Sequence, residues 1–149
     1  MSFQQAVAIN PGIGVPGDFA STNPRRFIVS GSPDQRCVAD DSGVTIGRLA
    51  ILLAGGQVDS NPEAADVTPT NVGFVHRVIG NAVITQWLDE TSMVIPPGRG
   101  VELFAAGDFF AVADAVTGLP SRGAAVIWDP ATGLIDIGAT AGAATVDTG

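Results

Sequence analysis

Nine short runs rich in β-branched and aromatic residues, each closed off by Gly, Pro, Asp or Asn, constrain this chain more than any other feature. They are RFIVS (26–30), VTIGRLAILL (44–53), VGFVHRV (72–78), NAVITQWL (81–88), SMVI (92–95), RGVELF (99–104), DFFAVAD (108–114), AAVIWD (124–129) and GLIDIG (133–138). Short runs at such spacing are how β-sandwiches and barrels read in sequence. A parallel α/β sheet would need amphipathic helices of about 10 or more residues between strands. The chain offers no such stretch. The predicted fold is therefore all-β, an antiparallel sandwich or barrel of short strands, with an extended arm over residues 1–25 and a single β domain over 26–149.

The turns between runs suggest the pairing. Only Ile79 and Gly80 separate the third run from the fourth, which predicts a tight hairpin there. AAGD (105–108) is expected to fold VELF back on DFFAV. DPATG (129–133), with Pro at a turn position and Gly where a positive φ is useful, is expected to join AAVIW to LIDI. Residues 55–71 lack periodicity and read as a long surface loop. The small, polar tail 139–149 reads as an edge strand or a loose end.

At 149 residues the chain can bury about 68% of its unfolded surface, enough for a real core. Only 15% of residues are charged, against roughly 25% in soluble domains generally, so the surface is small, polar or apolar rather than ionic. Such a surface suits lasting contact with other protein. Seven arginines, no lysine and fifteen acids give a net charge of −8, the wrong sign for gripping phosphates, so nucleic acid is not an expected partner. The charge is lopsided: residues 1–50 carry four arginines and four acids, residues 51–149 three arginines and eleven acids. No apolar run approaches the roughly 18 residues of a membrane span. The opening MSFQQAVAIN has neither a basic start nor an apolar signal core, so synthesis in the cytoplasm and no membrane partner are expected.

The front of the chain is dense in Pro and Gly, has no regular hydrophobic pattern and gains little by folding on itself. It reads as an arm that lies along another surface, with Phe3, Ile9, Ile13, Val15 and Phe19 as scattered apolar pegs and Arg25 and Arg26 as polar anchors at its root. GIGVPG (12–17) satisfies G-x-G-x-x-G by letter. It follows Pro11, contains Pro16 and opens no helix, so the context that a dinucleotide's pyrophosphate requires is missing and no cofactor is expected.

Catalytic and metal chemistry find little support. Cys37 is the sole cysteine, and no CxxC or Cys/His cluster offers a metal site. His76 is the sole histidine; strand alternation sets it on one face with Phe74, and Val75 with Arg77 on the other. A Cys37–His76 dyad would need proximity and an orienting third group. Asp89, Glu90, Asp108 and Asp114 lie at strand ends or turns, where carboxylates commonly satisfy backbone N–H groups. ADDSG (39–43) is too short for a calcium loop. Trp87, Phe109, Phe110 and Trp128 fall at strand spacing and read as core, with one or two available to anchor an interface. No enzyme is expected.

MSFQQAV with VPGDFASTNPR at the front, GFVHR (73–77), SMVIPPG (92–98) with VELFAAGDFFA (101–111), and GAAVIWDPATGLI (123–135) together resemble the structural cement, or head decoration, proteins of tailed bacteriophages. The resemblance runs over most of the chain and brings no catalytic motif. It implies an all-β protein of the virion that binds the outside of the assembled capsid and clamps neighbouring major capsid subunits. With the low charge content, it further implies self-association, as a homotrimer at three-fold positions or otherwise a dimer. The alternatives are a carbohydrate- or receptor-binding β module of a virion tail, which should expose stacked aromatics, and a small hydrolase using Cys37 and His76.

Overall fold

A computed structural model describes residues 14–28, 36–61, 66–68, 70–84, 93–116, 122–130, 133–138 and 146–147. Thirteen strands and no α-helix occur among them. The central layer is a six-stranded sheet of order β1-β9-β6-β4-β5-β2. Its members are β1 (Arg26–Phe27), β2 (Val38–Ala39), β4 (Leu49–Leu52), β5 (Gln57–Asp59), β6 (Val72–Val75) and β9 (Leu103–Ala106). A three-stranded sheet, β3-β8-β7, contains β3 (Val44–Thr45), β7 (Val83–Ile84) and β8 (Met93–Ile95). A four-stranded sheet, β10-β12-β11-β13, contains β10 (Ala115–Val116), β11 (Val126–Asp129), β12 (Leu134–Ile137) and β13 (Val146–Asp147).

Strand alternation divides the side chains of the central sheet between two cores. Ala50, Val58, Val75 and Leu103 point to one face and pack with Val44, Ile46, Met93 and Ile95 from the three-stranded sheet and its approach. Ile51, with Leu49 and Val72, points to the other and packs on Trp128 and Ile135 of the four-stranded sheet. The result is an all-β layered sandwich, as expected. Val44, Val58, Val75, Ile95 and Leu103 of the first core are fully buried, and each contributes roughly 1.5–3 kcal/mol relative to exposure. Between β4 and the four-stranded sheet runs one strong polar tie. Arg48 grips Asp114 with two bonds, Nη1 to Oδ2 at 2.8 Å and Nη2 to Oδ1 at 2.6 Å, and Nη1 also donates to the Gly133 carbonyl at 2.8 Å.

The pairing departs from the sequence reading in several places. DPATG does join an antiparallel pair, with Val126 opposite Ile137 and Asp129 opposite Leu134. The turn at Ile79–Gly80 is present, Asn81 N–H donating to Val78 O at 2.9 Å, but it links two sheets instead of closing a hairpin. The reason is that β6 already has a neighbour on each side, β4 and β9, which leaves β7 to pair with β8. AAGD likewise closes no hairpin, because residues 108–110 turn away to meet Phe19. The run 44–53 breaks at Gly47, whose φ of 76° ends β3 before β4 begins. Residues 57–59, expected to be loop, form β5 because Val58 fills the first core from between two outward neighbours. Two pairs, β2 with β5 and β10 with β12, are parallel.

Candidate functional site

The feature that most needs explaining lies at the β1 end of the central sheet, where residues 14–28 wrap the domain's edge. Residues 17–20 run antiparallel to 108–110: Gly17 N–H donates to Phe110 O (2.8 Å), Phe110 N–H to Asp18 O (3.0 Å) and Ala20 N–H to Asp108 O (2.8 Å). The Gly17 carbonyl accepts twice, from Arg77 N–H at 3.0 Å and from His76 Nδ1 at 2.7 Å. A carbonyl can only accept, so Nδ1 carries the imidazole proton. Nε2 then faces Glu102 Oε2 at 3.9 Å. Arg77 closes the contact with a fork-to-fork pair on Asp18, both bonds 2.9 Å.

Gly17 is required here on two grounds. Its φ is 90°, and a Cβ would stand 2.4 Å from Ile46 Cγ2 and 2.9 Å from Arg77 Cβ. Gly47 faces it from the domain, where a Cβ would meet Pro16 Cβ at 2.8 Å. The strap therefore sits closer to the sheet than any side chain would allow. Further along, Asp108 holds it by accepting from Ser21 Oγ and Asn23 Nδ2, both at 2.6 Å. These hydrogen bonds keep the Asp108 carboxyl below its ordinary 3.8.

Beneath the strap lies an aromatic layer. Phe19 stacks on His76 with centroids 4.2 Å apart and meets Phe104 edge-on at 5.2 Å. Phe74 stacks on Phe109 at 4.4 Å, and Phe27 lies over Phe104 at 4.2 Å. The Arg25 guanidinium caps Phe19, its Cζ 3.5 Å from the ring centroid. The layer is open at one end, where Phe27 is 57% exposed and Arg25 and Arg26 stand in solvent.

The residues named from sequence fall as follows. Phe19 is spent within the domain, in the aromatic layer. Arg25 and Arg26 are exposed beside Phe27, and Val15 is half-buried in the turn that carries Asp18 N–H to Val15 O at 3.0 Å. Phe3, Ile9 and Ile13 lie outside the described residues, as do Trp87, Asp89 and Glu90. The described part of the 1–25 segment is thus held by residues 76–77 and 108–110, and the arm reading rests on residues 1–13. GIGVPG opens no helix over its described residues 14–17. The Cys37 thiol reaches the Ile28 carbonyl at 3.8 Å, while His76 is engaged by Phe19 and Gly17. Asp114 serves the Arg48 tie, and Trp128 is core. Among the described residues no group of three His, Cys, Asp or Glu could hold a metal ion, and no helix is long and apolar enough to cross a membrane. Sequence reasoning missed Phe27, Asp18 and Arg77. Phe27 follows the two flagged arginines directly, whereas the Asp18–Arg77 pair spans 59 positions and leaves no local signal.

The profile of the XM1 gp53 minor capsid protein family matches residues 3–149. The chain belongs to that family. It is a structural protein of a phage capsid, and its place is in the virion. No curated protein sequence and no solved structure matches this minor capsid protein significantly.

Proposed function

We propose that this minor capsid protein is a cement, or decoration, protein. It binds the outer surface of the assembled head, contacts the major capsid protein across neighbouring subunits and stabilises the seams between them, acting as a homo-oligomer, a trimer in preference to a dimer, and without catalysis. The observation that carries the reading is the build of the strap end. An exposed phenylalanine with two solvent-facing arginines occupies the open edge of the sheet, and residues 1–13, which carry no charged side chain, lead into the strap at Gly14, which lies against the Phe110 ring. A ledge plus an attached segment can bridge two surfaces at once, the second contact gaining from the first through effective concentration. Binding only to the assembled shell then shifts the assembly equilibrium toward it.

The test is to add purified protein to heads lacking it, measure co-sedimentation, and follow heat-induced genome release with and without it. Saturable binding that raises the release temperature, with the bound protein open to externally added antibody, is the expected result. Binding only to unassembled subunits, or protection from antibody in intact heads, would overturn the reading.

A further inference from the structure

We propose that the edge of β1 takes an extended, acidic segment of the major capsid protein as one further strand of the six-stranded sheet, held by Arg26 and Phe27. The inference rests on the cement reading above and names the chemistry of that contact.

The edge is unfinished. Phe27 stands opposite Phe104, and Ile28 N–H donates to Leu103 O at 2.8 Å. That is the pattern of a non-hydrogen-bonded antiparallel pair, so the N–H and C=O of Phe27 point away from β9. On that side β1 ends the sheet, and no strand of the described residues pairs with it. An outward donor and acceptor on an open edge are the groups an incoming strand uses.

The side chains select which strand. Arg25 and Phe27 share one face: the Arg25 guanidinium caps Phe19, and the Phe27 ring lies 4.2 Å from that of Phe104, which Phe19 meets edge-on. Alternation turns Arg26 to the other face. Arg48 and Arg77 each grip a carboxylate, whereas Arg26 is exposed and has none among the described residues. An added strand thus meets an open ring, 57% exposed, on one face and an unpaired guanidinium on the other. Its complement is a segment in which an apolar residue and a carboxylate are neighbours in sequence, the carboxylate making a charge-assisted pair with Arg26. The arginines also guard the edge against its own kind, because pairing β1 with β1 of a second copy would bring four of them together.

The experiment uses full-length protein and heads lacking it, with a melt of each variant as folding control. Hydrogen exchange of the Phe27 amide, labelled in the bound state, quenched and read by mass spectrometry, should slow at least tenfold on heads. Phe27→Ala keeps the outward N–H and Phe27→Pro removes it; proline is tolerated at an edge whose N–H faces outward. Phe27→Pro should bind heads roughly fivefold more weakly than Phe27→Ala, the effect of one hydrogen bond. Arg26→Glu should weaken binding by roughly tenfold or more at low salt, and by less at high salt. Should Phe27→Pro fail to fold, exchange of the wild-type amide and Arg26→Glu decide. Three results leave the cement reading standing and overturn this inference: bound protein whose Phe27 amide exchanges as fast as in the free state, a folded Phe27→Pro that binds as well as Phe27→Ala, or an Arg26→Glu that binds unimpaired. Protection of Phe27 that rises with protein concentration in the absence of heads also overturns it, since a second copy then covers the edge. Unassembled major capsid subunits are tested in parallel: subunits that protect Phe27, with no binding to heads, would uphold the added strand and sink the cement reading.

Discussion

On one face of the six-stranded sheet the contacts are aliphatic and closed; on the other, toward β1, they are aromatic, overlaid by a strap and open at the end. Val75 and Leu103 on the first face have essentially no exposed surface, while Phe27 on the second keeps more than half of its own. The first face relies on close packing, which needs no partner and tolerates no cavity. The second relies on ring contacts, a bidentate ion pair and backbone bonds to a segment that enters from outside the sheet. Closed cores lie on both faces of this layer, and the β1 end of the second face is the part left open. Mutations in a closed core and at that open end should therefore separate folding from assembly.

The largest effect is expected on the closed side. Ile95→Ala removes a fully buried side chain from the first core and should lower the unfolding free energy by about 3 kcal/mol, read from urea melts. Phe27→Ala on the open side should cost under about 1 kcal/mol, since much of that ring is already in water, while impairing attachment to heads on the proposed reading. Equal costs at the two positions would erase the distinction.

Next comes the Arg48–Asp114 tie. Burial works against the Asp114 charge, but the Arg48 bonds and the Ile135 N–H at 2.9 Å outweigh it and hold the carboxyl below its ordinary 3.8. A carboxyl lowered in the folded state stabilises above its unfolded pKa and loses that contribution as pH falls through the lowered value. Asp114→Asn should cost about 2 kcal/mol near neutrality, much of it from the guanidinium left without its partner. The gap between wild type and variant should narrow as pH drops below about 4. A gap that stays constant from pH 7 to pH 2 would show that the charge is not what the tie uses.

Smaller again is the strap's own fit. Gly17→Ala adds a Cβ at 2.4 Å from Ile46 and keeps a φ of 90°, so the strap must lift. Gly98 has a φ of 72° but nothing within 4 Å of an added Cβ. Gly98→Ala should show the backbone cost alone, on the order of 1 kcal/mol, and Gly17→Ala that plus the loss of strap contacts, for a total of up to about 2 kcal/mol. Ring shifts of His76 in NMR spectra should move in the second variant and stay in the first. Identical behaviour would mean that the strap is not bound where it lies.

What could be read in the sequence follows from how local each signal is. The all-β fold was legible because period-two alternation and turn residues act over a few positions, as at DPATG and at Phe74–His76. The hairpins at Ile79–Gly80 and at 105–108 were misread because a turn fixes only the reversal of the chain, whereas pairing depends on which edges are still open once β4 and β9 flank β6. Val58 in its supposed loop was missed for a related reason: a three-residue strand shows too little alternation to stand out beside Gly and Asp. At the candidate site, Arg25 and Arg26 were visible as a charge pair at the root of the Pro- and Gly-rich front, but the Phe27 beside them was not singled out. The strap's attachment was invisible because Asp18, Arg77 and Asp108 are brought together only by the tertiary fold.

The smallest effect on stability, and the sharpest test of the open side, comes from two truncations. Residues 14–25 carry the strap's bonds to His76, Arg77 and Asp108, so removing residues 1–25 takes away Phe19 and Asp18 and uncovers the aromatic layer. Removing only residues 1–13 leaves all of those contacts in place. The shorter deletion should melt within about 0.5 kcal/mol of the full chain, and the longer one clearly below it. Attachment to heads should behave differently, falling already with the shorter deletion if Phe3, Ile9 and Ile13 supply head contacts whose burial offsets the entropy of ordering them. Residues 1–13 carry no charged side chain, so the part of the affinity lost with them should be nearly the same at low and high salt. If the shorter deletion leaves head binding intact and the longer abolishes both folding and binding, residues 1–13 are no arm, and the strap and ledge alone carry whatever the open side does.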